Sequence, residues 1–96
     1  MEQQQVVKRI QANQARLTEL GVASLSLFGS VARGDSTEHS DIDLLVRVDG
    51  RADFDRYMDL KLFLEDLLGR RVDLVTEQAL REEIRAHVEQ DLLRVA

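Results

Sequence analysis

The sequence predicts a small α/β (α+β) domain: a mixed sheet of at least three strands flanked by helices. Two observations lead there. Three short segments, residues 22–28, 42–48 and 71–76, carry strand patterning. Between and around them, apolar residues recur every three or four positions, the helical period. Three strands and several helices in a 96-residue chain must share one core, so the sheet is expected to be covered by helices.

Each element has its own signal. Residues 2–19 read as a helix, with Val6, Ile10, Leu17 and Leu20 near one face and Gly21 as its C-cap. Residues 22–28, "VASLSLF", alternate Ser24 and Ser26 with Leu25 and Leu27, which is strand periodicity. Residues 30–34 predict a short helical turn closed by Gly34. Residues 42–48, "IDLLVRV", read as a second strand, ended by the turn dipeptide Asp49-Gly50. Tyr57, Leu60, Leu64 and Leu67 define a helix over 53–68, with Gly69 just past its end. Residues 71–76, "RVDLVT", make the third strand. Leu80, Ile84, Val88 and Leu92, spaced by four, predict a last helix over 78–94. The expected string is αβ(α)βαβα, with residues 1–96 as one domain.

Composition narrows the class. The length suits one domain and not two. The absence of cysteine excludes disulfides and thiolate metal sites. Apolar residues at 44% and charged residues at 32% mark a chain able to fold around a core rather than a disordered one. The first residues, "MEQQQVVKRI", lack the apolar stretch of a signal peptide, and no run approaches the ~20 apolar residues of a membrane span. A cytoplasmic protein without membrane association is the expectation. The net charge of −5 argues against nucleic acid as a partner, which needs a basic surface. It is compatible with a nucleotide substrate, because a bound divalent cation inverts the local field.

The functional signal lies in "LFGSVARGDSTEHSDIDLLV", residues 27–46. Side chains alternate across a strand, so Ile42, Leu44, Val46 and Val48 share one face and Asp41, Asp43, Leu45 and Arg47 the other. The two carboxylates then lie roughly 7 Å apart at ~3.3 Å per residue. Like charges at that spacing repel, and a divalent ion removes the penalty; magnesium favours such oxygens. The third strand repeats the arrangement, with Asp73 opposite in face to Val72 and Leu74. If the second and third strands are neighbours, Asp73 joins Asp41 and Asp43. Three carboxylates on one face suit a two-metal site for phosphoryl-type transfer. Before them, Gly29 permits close approach of a ligand to the backbone, and Ser30 offers a hydroxyl and an amide. The turn that follows opens with free amides suited to phosphate. Arg33 is a candidate for steadying a phosphate or leaving group. Singly each feature is weak, since a Gly-Ser turn and a surface Asp-x-Asp are common. Their combination is specific.

"GSVARGDSTEHSDID" resembles the G-S-x10-D-x-D signature of the DNA polymerase β-like nucleotidyltransferase superfamily, and the fuller string resembles its minimal nucleotidyltransferase branch. "GRRVDLVTEQAL" resembles that branch's third-aspartate segment. The resemblance runs from about residue 20 to the last residue. It implies a polymerase β-like catalytic core in which Gly29 and Ser30 bind nucleotide phosphates, Asp41 and Asp43 bind metal, and Asp73 binds the catalytic metal and helps activate the attacking hydroxyl. Arg33 and Gly34 match the branch's A-R-G element. The loop departs from the pattern, with "STEHS" where a proline is often found, which bears on loop rigidity only. Members of the branch pair with a HEPN-domain ribonuclease toxin, as antitoxins that transfer AMP from ATP to a tyrosine of the toxin. The resemblance implies that role here, with two Mg²⁺ ions, ATP as substrate and a hetero-oligomer with the toxin.

Docking surfaces for such a partner are the apolar stripe of the last helix or the side of helix 53–68 with Phe54, Met58 and Phe63, although most of these residues are expected in the core. Two other readings remain open at this stage: an antitoxin that only masks its partner, and a nucleotidyltransferase acting on a small molecule such as an aminoglycoside. The catalytic core uses the whole length, leaving no second domain to hold a small acceptor, and masking has no need of clustered carboxylates. His39 and His87 lack a second His or Cys at ligand spacing, so zinc is not expected. Tyr57 reads as a helix-surface or core residue rather than a self-modification site. No P-loop motif is present.

Overall fold

The computed structural model describes residues 2–37, 39–51 and 53–96, without the side chains of Ile84 and His87. The N-terminal segment forms two helices, α1 (Gln3–Gln11) and α2 (Gln14–Glu19), where periodicity predicts one. Asn13 makes the break. Its side-chain amide donates to the Arg9 carbonyl at 2.8 Å, and its backbone N–H donates to Ile10 rather than continuing the helical ladder. The bend keeps Val6, Ile10 and Leu17 on one buried face, which is why the helical period survives it.

Strand β1 (Val22–Phe28) runs straight into the one-turn helix α3 (Gly29–Arg33). Strand β2 (Ile42–Val48), helix α4 (Phe54–Leu68) and strand β3 (Val72–Thr76) follow. The Asp53 carboxylate caps α4 by accepting from the Arg56 N–H at 2.8 Å. Last come a 3₁₀ turn (Glu77–Ala79), helix α5 (Glu82–Gln90) and strand β4 (Leu93–Arg94). The sheet order is β3-β2-β1-β4. β1 is antiparallel to both β2 and β4, and β2 is parallel to β3 across the α4 connection. The sheet is therefore mixed, as expected, with four strands rather than the three visible in the sequence.

The last helix is shorter than predicted. Residues 78–94 divide into the 3₁₀ turn, α5 and β4. The physical reason lies on the free edge of β1. Leu93 and Arg94 pair with Leu27 and Ser26, the Val95 N–H donates to the Leu25 carbonyl at 2.9 Å, and the Leu25 N–H donates to the Ala96 carbonyl at 3.2 Å. Those backbone groups of β1 would otherwise be unpaired. Val95 is buried in the main core, while Leu92, the last residue of the helical pattern, is 40% exposed.

One face of the sheet carries the core. Leu25, Leu27, Ile42, Leu44, Val46, Val72 and Leu74 pack with Val6, Ile10, Leu17, Leu60, Leu64 and Leu68 in one continuous cluster. The alternation read for β2 and β3 is the one observed. The Tyr57 hydroxyl donates to the Leu74 carbonyl at 2.7 Å, so this half-buried tyrosine ties α4 to β3. Phe63 is partly buried against the core and Phe54 is 74% exposed. The second face of the sheet bears Ser24, Ser26, Leu45 and Arg47, which meet α5 around a small cavity of about 150 Å³. Leu80, which lines that cavity, and Val88 are both buried, so two residues of the last helix's apolar stripe are core and not docking surface. Among the described residues no helix is long and apolar enough to cross a membrane.

Candidate active site

Strand register assembles the site. Asp43 pairs with Asp73 across the parallel β2/β3 ladder and with Phe28 across the antiparallel β1/β2 ladder. Phe28 precedes Gly29-Ser30, so the glycine-serine turn, Asp43 and Asp73 lie side by side at one end of the sheet. Asp41 sits two residues before Asp43, just ahead of the first residue of β2. Asp41 and Asp73 are exposed and Asp43 is half-buried. Asp43 and Asp73 belong to the face opposite the core because their neighbours Ile42, Leu44, Val72 and Leu74 fill the apolar one.

Burial, first, and then the charges of Asp73 and Asp41 push the Asp43 carboxyl up from 3.8 to about 6; its hydrogen bond with Asp73 acts the same way, and Arg33 opposes it. The crowding of like charges anticipated from the sequence is therefore present. Gly29 makes the close packing possible. Its φ is +71°, and a Cβ there would strike Asp43 Oδ2 and crowd the rest of that carboxyl group. The carboxylate lies directly against the glycine backbone, beside the opening amides of α3, which have no intrahelical acceptor. Val31 is fully buried and anchors the turn from below.

Arg33 lies near this turn but is engaged. Its Nη1 donates to Asp91 at 2.9 Å and its Nε to Asp35 at 3.3 Å; these hydrogen bonds, led by Asp91, raise its pKa further. Together with Phe28, Gly29, Val88 and Asp91 it lines a cleft of about 450 Å³. A phosphate would reach Arg33 by exchanging with one of these carboxylates. Sequence reasoning did not single out Asp91. It stands 58 residues from Arg33, and no local pattern relates the two. A second cleft, of about 430 Å³, is lined by His39, Ser40, Asp41, Gly69, Arg70 and Arg71. Arg70 and Arg71 were also missed as site residues; Arg71 was read only as the first residue of the third strand, which starts at Val72. A further cleft, about 620 Å³ between Phe54, Tyr57 and Thr76, is lined by none of Asp41, Asp43 and Asp73.

Among the described residues no three His, Asp or Glu side chains already close around a metal position. The donor set nevertheless fits a hard divalent cation. Three carboxylates supply oxygen only, the ligand type magnesium prefers. The repulsion from Asp73 and Asp41, which adds to burial in raising the Asp43 carboxyl, is what a dication would relieve.

A mixed sheet with a glycine-serine turn and paired strand aspartates at one end defines a nucleotidyl-transfer core. The chain belongs to the nucleotidyltransferase domain family, whose profile it matches over residues 7–95. A solved structure described as a minimal nucleotidyltransferase is similar at 36% identity and TM-score 0.84, covering 97% of this chain and 95% of that one. The protein adenylyltransferase MntA of Thermococcus cleftensis is 37% identical over 75 residues, covering 78% of this chain and 76% of that protein. A protein of Methanocaldococcus jannaschii, provisionally named a protein adenylyltransferase, is 42% identical over 77 residues, covering 77% of each. The fold is also shared with a complex of a tri-AMPylated HEPN toxin and its MNT antitoxin from Shewanella oneidensis, at TM-score 0.61 and 22% identity, over 90% of this chain and 71% of that one. The family placement made from the G-S-x10-D-x-D string thus holds, and the chain is a nucleotidyltransferase of the minimal kind.

Proposed function

We propose that this chain is a cytoplasmic antitoxin that transfers AMP from ATP to a tyrosine hydroxyl of a HEPN-family ribonuclease toxin and so inactivates it, with residues 1–96 acting as one minimal nucleotidyltransferase domain. The observation that carries the reading is the register that sets Asp43 beside Asp73, next to the Gly29-Ser30 turn. The relatives named protein adenylyltransferase, and the AMPylated toxin held by a protein of the same fold, support the choice of acceptor.

In this reading Gly29, Ser30 and the opening amides of α3 hold the triphosphate, and Arg33 steadies its charge. Asp41, Asp43 and Asp73 would hold two Mg²⁺ ions, which when bound would neutralise charge developing on the phosphates. The tyrosine oxygen attacks the α-phosphorus, the bond to the β-phosphate oxygen breaks, and pyrophosphate leaves. Asp73, exposed at the edge of the group, assists removal of the phenolic proton. The toxin itself presents its tyrosine beside the α-phosphate; such positioning supplies much of the rate of a transfer between two bound reactants.

Intact mass spectrometry of a cognate HEPN toxin co-expressed with this chain tests the proposal. One or more added AMP units with the wild-type chain, and none with Asp41→Asn/Asp43→Asn, is the expected result. Lost toxicity and a stable complex without added mass would replace enzymatic transfer with masking. Transfer to an aminoglycoside by the isolated chain would replace the protein acceptor with a small molecule.

A further inference from the structure

We infer that Arg70 is a positioning residue of the transfer site, acting by locking the turn that delivers Asp41. The inference rests on the reading of Asp41 as a metal ligand. Asp43 and Asp73 are held in place by their ladders, since both lie inside paired strands. Asp41 is not. It precedes the first strand residue, and the chain before it is the loop after Gly34, where Asp35, Thr37 and His39 are exposed. Something else must fix it.

Two anchors do so. Behind Asp41, the Ile42 N–H donates to the Arg71 carbonyl at 2.9 Å, so backbone pairing begins only with the next residue. Ahead of it, Thr37 and Ser40 form a knit turn. The Ser40 N–H donates to the Thr37 carbonyl at 3.2 Å, the Thr37 N–H donates to Ser40 Oγ at 3.0 Å, and the two hydroxyls share a bond at 3.2 Å. The Arg70 guanidinium grips this turn from its carbonyl side. Nη2 donates to the Thr37 carbonyl at 2.9 Å and also to the Ser40 carbonyl, the peptide joined directly to Asp41.

The chain geometry explains how Arg70 gets there. Helix α4 ends at Leu68, and Gly69 adopts a left-handed φ of +65°, which swings the following residue off the helix axis toward the start of β2. The guanidinium is part-buried, and its Nη1 has no solvent exposure and no hydrogen-bond partner among the described residues. Bonds from a cation to backbone carbonyls are charge-assisted and stronger than neutral ones. A planar fork can also serve two carbonyls at a fixed angle, which a flexible ammonium does less well.

The same helix end braces the other carboxylate. Glu65 Oε2 accepts from the Val72 N–H at 3.0 Å, one residue before Asp73. The α4–β3 connection thus holds the backbone beside both outer aspartates, and Arg70 is the member on which the unpaired one depends.

The test uses the full chain with Arg70→Met, Arg70→Lys and Asp41→Asn. Mn²⁺ affinity is measured by electron paramagnetic resonance with a non-hydrolysable ATP analogue, and backbone protection over residues 39–42 by hydrogen exchange. Arg70→Met is expected to weaken Mn²⁺ binding about tenfold, in line with the loss of an outer-shell support, and to speed exchange at Ser40 and Ile42 while Asp43 keeps its protection. Arg70→Lys should fall between, at about threefold by the same scale, and serves alone if the methionine variant does not melt cooperatively. Wild-type Mn²⁺ affinity in both Arg70 variants, with Asp41→Asn weakened, overturns the role of Arg70 and leaves the metal reading standing. Wild-type affinity in Asp41→Asn overturns the metal reading itself.

Discussion

Replacing Asp43 by Asn should make the metal-free protein more stable and the enzyme inactive. The Asp43 carboxyl is raised from 3.8 to about 6. Between those values the folded state holds a proton that the unfolded state has released. Stability therefore falls as pH rises through that window, and the full cost is present above about pH 6. A difference of about 2 units corresponds to a ceiling of ~3 kcal/mol at 1.36 kcal/mol per unit. Asp43 is half-exposed, and solvent screening reduces this to about 1–2 kcal/mol. Asn keeps the shape, removes the charge and can still donate to Asp73. For a domain of this size the gain should appear as roughly 5–15 °C in Tm at pH 7.5. The assay is differential scanning calorimetry of both proteins in EDTA from pH 3.5 to 8. The gap between them should open as pH rises and vanish below about pH 4, where Asp43 is protonated in both states. A variant that melts at or below wild type at pH 7.5, or a gap that does not change with pH, would refute the electrostatic account of the cluster. Loss of AMP transfer in the same variant would place the cost where function needs it.

Other consequences are as direct. Gly29→Ala should lower Tm, since it combines a positive φ with a Cβ inside the Asp43 carboxylate, at a cost of about 1–3 kcal/mol; thermal melts read the loss, and unchanged stability would mean the turn relaxes freely. Tyr57→Phe removes the bond to the Leu74 carbonyl and should cost about 1 kcal/mol without changing transfer to the toxin, as read by Tm and by toxin mass. A mass increase on this chain that Tyr57→Phe abolishes would instead make Tyr57 a modification site. Chelation of divalent ions should stop transfer, and added Mg²⁺ with ATP should raise the Tm of wild type but not of Asp43→Asn; activity that survives exhaustive chelation would remove the metals from the proposal.

Much of the architecture was legible because it rests on short periods. Ile42, Leu44 and Val46 alternate with Asp43 and Leu45, so their faces followed from the pleat alone. Leu60 and Leu64 repeat at helical spacing, with Leu68 buried where the pattern pointed to Leu67, and Gly69 marked the end of α4. Two errors share a cause. The break at Asn13 comes from one side chain competing for a carbonyl, which barely disturbs the apolar period around it. Strand β4 is two residues long, too short to carry a period, and exists because β1 has a free edge to pair.

The site divides along the same line. Gly29, Ser30, Asp41, Asp43 and Asp73 were readable as candidates because each has an ordered place in one chain direction: strand, turn, fixed spacer, strand. That Asp43 faces Asp73 rather than another residue of β3 is a fact of register, set by where α4 returns the chain to the sheet. That Arg33 is held by Asp91, and that Arg70 grips the turn before Asp41, are contacts across 58 and 30 residues. A linear sequence encodes which chemistry its strands can carry, since alternation and spacing are local. Which charges meet, and how tightly each is held, is decided only when separate segments pack, because charge pairing and burial depend on distance in space rather than along the chain.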